Sequence, residues 1–135
     1  MSKKNSSVNL KKVFKDYKDL STIFLKFKSN LDSLKQKKYL VAISGGPDSL
    51  ALAAMSRAYS YLNKIKFYYV LIDHNIRKNS KQEANKVKRI LKKKNIHLRV
   101  FLNKKKITKN IQAEARNARY NILTNYCKKN NIKIF

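Results

Sequence analysis

Between residues 21 and 36, Ile23, Phe24, Phe27, Leu31 and Leu34 recur at helical spacing, which gathers side chains three and four apart onto one face. The pattern then changes. Residues 39–43, Tyr-Leu-Val-Ala-Ile, form a short unbroken apolar run, the form expected of a parallel strand covered on both faces. Leu50, Ala53, Ala54, Ala58 and Tyr61 return to helical spacing, and residues 66–72 read as a second strand. Ser80-Lys81-Gln82-Glu83 is a capping box, opening a helix whose inner face is Ala84, Val87, Ile90 and Leu91. Residues 97–102 read as a third strand, Ile111, Ala115, Ala118, Ile122 and Tyr126 stripe another helix, and 132–135 begin a fourth strand. Such alternation predicts an α/β fold with a parallel sheet. A final strand without its covering helix predicts a domain truncated after the fourth strand. Residues 1–36 read as a basic, mobile N-terminal tail followed by a helix, and 37–135 as the partial α/β domain. A basic arm touching RNA competes with the tail reading for residues 1–20.

The chain has two glycines and one proline, and they are consecutive: Gly45, Gly46, Pro47. Glycine allows positive φ and close approach of backbone to a ligand; proline suits the first turn of a helix. The segment Ser44-Gly45-Gly46-Pro47-Asp48-Ser49 joins the first strand to the helix after it. In an open α/β sheet, ligands bind at the carboxyl ends of the strands, where a helix N-terminus offers free N–H groups to phosphate. The Ser44 and Ser49 hydroxyls can donate to phosphate oxygens. Asp48 repels phosphate but suits Mg²⁺ bridging phosphates. The competing reading is that Asp48 or Ser49 caps the helix. The chain contains no G-x-x-x-x-G-K-[ST] and no G-x-G-x-x-G, so Walker-type ATPases are excluded and dinucleotide binding is disfavoured.

Charge adds a partner class. With 27 Lys, 6 Arg and 7 acidic residues, the net charge is +26, which points to a polyanion, nucleic acid first. Lys, Asn and Ile number 27, 15 and 12; their codons are A/T-rich, so base composition competes with selection for RNA binding. The Lys runs at 92–94 and 104–106 read as solvated surface. Cys127 is the only cysteine, which leaves no internal disulfide and fits a reducing cytoplasm. It lies in an apolar-periodic stretch and reads as a small core residue. No apolar run approaches a membrane span, and the N-terminus has no signal-peptide core.

Ser-Gly-Gly-x-Asp-Ser after a strand resembles the PP-loop of the N-type ATP pyrophosphatases. Asp73-His74-Asn75-Ile76-Arg77-Lys78-Asn79-Ser80 follows the second strand, and the segment from Asn110 to Tyr120, NIQAEARNARY, opens the last helix. With SGGPDSLAL, these segments are similar to the tRNA(Ile)-lysidine synthase family from about Tyr39 to Phe135. The resemblance implies a Rossmann-like PP-loop domain that binds ATP and Mg²⁺ and acts on isoleucine tRNA and free L-lysine. The wobble cytidine would be adenylated through its C2 oxygen with release of pyrophosphate, and the lysine ε-amine would then displace AMP. Ser44, Gly45, Gly46, Pro47, Asp48, Ser49, Asp73 and His74 would hold the nucleotide, with Asp48 the Mg²⁺ ligand. Asp48 and Arg116 would be catalytic, and Arg116 and Arg119 would meet the tRNA. Rival roles are a turn or cap for Asp73, loop packing for His74, and solvated charge for Arg77, Arg116 and Arg119. Asn75 stands where the family usually has Gly, and Asn tolerates left-handed backbone. The family's later acidic motif, His-His-x-Asp-Asp-Gln-x-Glu-Thr, does not occur, so catalysis by this chain alone is not expected. A homodimer is an admitted assembly. The rivals in function are another PP-loop tRNA-modifying enzyme and a non-catalytic basic RNA-binding module.

Overall fold

The computed structural model describes residues 18–133, and the expected tail at 1–17 lies outside them. Four helices and three strands alternate: α1 (Lys18–Leu34), β1 (Lys38–Ala42), α2 (Pro47–Leu62), β2 (Lys66–Asp73), α3 (Ser80–Lys92), β3 (Leu98–Leu102) and α4 (Ile111–Asn130). The strands form one parallel sheet in the order β1-β2-β3. Ile132 and Lys133, where a fourth strand was expected to begin, are not in a strand, and residues 134–135 lie outside the described residues.

Both faces of the sheet are covered, which explains the unbroken apolar runs. On one face Val41, Ile43, Tyr69, Leu71 and Leu98 meet Ala53 of α2 and Ala84 and Leu91 of α3. On the other, Leu40 and Val70 meet Leu123, Tyr126 and Cys127 of α4. Cys127 is thus a buried core residue, as its periodicity indicated, and burial raises its pKa. Helix α1 lies on α2, with Phe24, Phe27 and Leu31 against Ala58, Tyr59 and Phe67. The buried Tyr59 hydroxyl donates to Asp32 at 2.5 Å; burial, and then this bond, raise the Tyr59 pKa.

Apolar spacing misjudged several inner faces. Ile23 and Leu34 are 52% and 43% exposed, because α1 meets α2 along a narrow stripe. In α2, Ala54 and Tyr61 face outward while Ser56 and Tyr59 are buried. Ser56 escapes an apolar count because it is polar; its Oγ donates to the Ala53 carbonyl at 2.9 Å and lies 3.0 Å from the Tyr69 hydroxyl. Ile90 and Ile111 are also exposed.

The expected capping box does not form. The first intrahelical bond runs from Glu83 N–H to the Asn79 carbonyl, so Asn79 is the N-cap and Ser80 is already helical. The Ser80 Oγ is buried without a hydrogen-bond partner among the described residues. Turns that glycine commonly serves are made otherwise: Asn75, Asn95, Asn110, Asn131 and Lys35 all have φ between 46° and 59°. Left-handed Asn131 ends α4, and the next amide, Ile132 N–H, returns to the Cys127 carbonyl at 2.9 Å, the 6→1 bond that closes a helix end.

Candidate functional site

The site is built where β1 hands over to α2. The Ile43 N–H donates to the Val70 carbonyl at 2.8 Å, which carries the sheet pairing one residue past Ala42. The chain then turns at Gly45, whose φ is +92°. A Cβ there would also lie 3.0 Å from Val87 Cγ2 of α3, so torsion and space both demand glycine. Gly46 differs: it has φ −74°, and its Cβ would find only Ser44 Oγ at 3.5 Å. Gly46 is the N-cap of α2 without a side-chain cap bond, and Pro47 fills the first turn. Neither Asp48 nor Ser49 caps the helix, which removes the competing reading of those residues.

Ser49 ties the loop together. Its Oγ accepts from the Ser44 and Gly45 N–H groups, each at 3.2 Å, and donates to the Gly46 carbonyl at 3.0 Å. Ser44 Oγ lies 3.1 Å from Ser49 Oγ and accepts from Gly46 N–H at 3.3 Å. Three consecutive backbone amides, at residues 44 to 46, therefore converge on serine hydroxyls at a helix N-terminus. These donors are spent within the loop, so an anion at this helix N-terminus would take them over from the two serine oxygens. Asp48 stands exposed in the first turn of α2.

The second predicted segment lies beside this loop. A cleft of about 540 Å³ is lined by Ser44 and Gly45 on one side and by Asp73, His74, Asn75 and Arg77 on the other, floored by Val87 and Ile90 of α3. Asp73, 6% exposed, accepts the Asn75 N–H on Oδ1 at 2.8 Å. That bond closes a turn in which Asn75 is left-handed, φ 53°, a conformation asparagine tolerates. His74 is half-buried, its Nδ1 3.4 Å from Asn103 Nδ2. Burial, and after it the positive charge of Arg119, lower the His74 pKa, with Asp73 pulling the other way.

The remaining candidates are not in the cleft lining. Gly46, Pro47, Asp48 and Ser49 follow the lining residues Ser44 and Gly45 in sequence but do not line the cleft. Arg116 and Arg119 sit over the Tyr120 ring, 5.2 and 6.0 Å from its centroid, and only the charge of Arg119 is felt at His74. Sequence reading missed three roles here. Asn103, 8% exposed, donates its N–H to the Asp73 carbonyl at 2.7 Å and accepts the Lys105 N–H at 3.1 Å. Its position just after a strand, at the sheet's carboxyl end, was the available signal. Val87, placed on the inner face of its helix by apolar spacing, also backs Gly45 from a helix distant in sequence, and nothing local marks that contact. Ser80, an orphan hydroxyl lining the cleft, was mistaken for a cap. Among the described residues no cluster of three His, Cys, Asp or Glu can hold a metal ion, and no helix is long and apolar enough to cross a membrane.

Residues 15–135 match the family model described as the PP-loop domain. Curated relatives named tRNA(Ile)-lysidine synthase align as well. The one from Orientia tsutsugamushi (strain Boryong) is 41% identical over 96 residues, covering 70% of this chain and 22% of the relative. Those from Rickettsia rickettsii (strain Sheila Smith) and Rickettsia typhi (strain ATCC VR-144 / Wilmington) are 32% and 34% identical, each over 78% of this chain and over 23% and 26% of their own lengths. The chain thus spans about a quarter of the length of the curated relatives it matches.

Proposed function

The chain belongs to the PP-loop domain family, and from that premise we propose that it forms the ATP-binding part of a tRNA(Ile)-lysidine synthase, an ATP-dependent carbon–nitrogen ligase of the cytoplasm. The observation that carries the reading is the single cleft shared by the Ser44–Gly45 amides and the Asp73–His74 turn at the carboxyl ends of parallel strands. Phosphates would lie against the amides of residues 44 to 46 and the two serine hydroxyls. The nucleoside would extend along Asp73 and His74, over the apolar floor of Val87 and Ile90. Pyrophosphate would leave into the loop, while Arg116 and Arg119, already oriented by Tyr120, would meet the tRNA.

The proposed chemistry has two displacements. The C2 oxygen of the wobble cytidine of isoleucine tRNA bonds to the α-phosphorus of ATP, and the bond to pyrophosphate breaks. The ε-amine of free lysine then bonds to C2, AMP leaves with the oxygen, and the amine proton is lost to solvent. Asp48 fits a Mg²⁺ held jointly with phosphates: it is exposed beside the loop and makes no hydrogen bond or ion pair among the described residues. Bound there, Mg²⁺ would offset the charge of departing pyrophosphate.

Two assays test this. Equilibrium dialysis with the chain itself reads ATP binding, and Gly46→Ala is expected to weaken it at least tenfold. A chimera in which this chain replaces the matching quarter of the Orientia relative reads lysine-dependent pyrophosphate release on isoleucine tRNA. Asp48→Ala in that chimera is expected to abolish release; full retention would remove Asp48 from the metal role. Absence of ATP binding together with tight, salt-sensitive tRNA binding would favour a non-catalytic RNA-binding module.

A further inference from the structure

In a parallel α/β sheet every helix ends, and every strand begins, at the same end of the molecule, opposite the nucleotide cleft. Here that end is almost purely cationic. Lys35, Lys37 and Lys38 lead into β1, Lys64 and Lys66 into β2, the run at 92–94 closes α3, and Lys128 and Lys129 close α4. Lys38 and Lys66 are neighbours in the sheet register. Lys38 Nζ donates to the Asn130 carbonyl at 3.2 Å, which binds the end of α4 to the same face. Asp48, Asp73, Glu83 and Glu114 all stand at the opposite, carboxyl end of the sheet or in the first turn of a helix that starts there. Asp32, in the last turn of α1, is the acid at the cationic end among the described residues, and it is engaged by Lys28 and Tyr59.

Helix dipoles account for part of this, since lysine is favoured at helix C-termini. They do not account for Lys37, Lys38, Lys64 and Lys66, which precede or begin strands. These four line one open concavity of about 630 Å³ together with Tyr61. Tyr61 is 42% exposed, with the Arg57 guanidinium 4.5 Å from its ring centroid. A cationic groove with an exposed aromatic is the combination that holds a nucleic-acid backbone while offering a base a stacking surface. An anionic membrane is the weaker fit, because it calls for an amphipathic helix lying flat, whereas this face is made of helix ends and strand starts.

We propose that the amino-end face of the sheet is a second binding surface, for the phosphate backbone of RNA, separate from the nucleotide cleft. It would hold a part of the RNA remote from the reacting base and supply affinity without base specificity. The proposal does not depend on ATP chemistry, so either reading can fail alone.

The test compares two triple variants of the chain, each losing the same charge. Lys37→Gln/Lys64→Gln/Lys93→Gln removes lysines from the face; Lys26→Gln/Lys81→Gln/Lys88→Gln removes exposed lysines elsewhere. Filter binding of an isoleucine tRNA transcript is measured across a salt series, with ATP binding and circular dichroism as controls for fold. The face triple is expected to weaken RNA binding at least tenfold and to flatten the log–log salt slope by about one unit per lost contact, with ATP binding unchanged. The other triple is expected to change affinity less than threefold. Equal effects of the two triples would overturn the proposal, leaving only diffuse net charge, and so would an unchanged salt slope in the face triple. Loss of binding to phosphatidylserine vesicles without loss of tRNA binding would overturn it in favour of a membrane. Should the face triple lose its fold, Lys37→Gln/Lys64→Gln alone carries the same comparison.

Discussion

Gly45 and Gly46 are adjacent and answer to different forces. Gly45 is held by its own protein, through φ +92° and the 3.0 Å approach to Val87. Gly45→Ala is therefore expected to cost about 1–3 kcal/mol of stability, read as a lowered denaturant midpoint. Gly46 has ordinary torsions and room for a Cβ, so Gly46→Ala is expected to leave stability within about 0.5 kcal/mol while weakening ATP binding. Equal stability losses at the two positions would contradict this division. His74 sets a pH dependence. Its pKa in the folded chain lies below the unfolded value near 6.5, so below that pH the unfolded chain takes up the proton more readily. Stability is full above about pH 6.5 and falls as the pH drops toward the folded pKa. His74→Gln is expected to flatten that part of a melting-temperature profile. At this scale the loop was legible because glycine, proline, serine and aspartate are chemically marked. Asn103 was not, nor was the contact of Val87 with Gly45, because both arise from contacts made across the fold.

Among the elements, α1 packs on α2, with Phe67 of β2 as its sheet neighbour. Its stripe of Phe24, Phe27 and Leu31 meets α2 through Ala58 and Tyr59. Phe24→Ala removes a side chain only 7% exposed and is expected to destabilise by about 3–5 kcal/mol, checked by chemical denaturation. The start of α3 offers a sharper contrast. A working capping box would make Ser80→Ala cost about 1 kcal/mol. With its Oγ buried and unpartnered, the same substitution is expected to be neutral or stabilising. Strand positions and the βα order were legible, because strands covered on both faces leave unbroken apolar runs. Inner faces of the helices were less so: in α2 the stripe was right at Ala53 and Ala58 but missed Ser56 and Tyr59, and isoleucines at 23, 90 and 111 face outward. A polar residue with its hydroxyl satisfied, such as Ser56, packs where helix and sheet approach closely, and a count of apolar spacing does not register that.

For the whole molecule, charge distribution matters more than total charge. The figure of +26 was visible in composition, but the uneven placement of the described acids, four toward the carboxyl end of the sheet and Asp32 toward the other, emerges only from the topology. Self-repulsion of this size opposes the compact state. Raising ionic strength from about 0.01 to 0.15 M shortens the screening length from about 30 to 8 Å. The melting temperature is therefore expected to rise over that range, which differential scanning calorimetry would read; a fall would show that attractive pairs outweigh the repulsion. Parallel order followed from the βα alternation, whereas the ends of α3 and α4 did not, since Asn95 and Asn131 there adopt the left-handed turn that glycine usually signals.

Those left-handed asparagines amount to a free-volume survey. Asn75, Asn95, Asn110 and Asn131 adopt glycine-like torsions while carrying a side chain, so at each of them the surroundings leave room beyond Cα. At Gly45 they do not, since Val87 occupies the place a Cβ would take. The two demands that glycine usually satisfies together, torsion and vacancy, are thereby separable. Gly45→Asn tolerates positive φ better than Gly45→Ala and leaves the steric demand, and Val87→Ala in the same chain vacates the space. The double variant is expected to recover most of the stability that Gly45→Asn loses, which would make residues 45 and 87 a coupled pair linking the phosphate loop to α3.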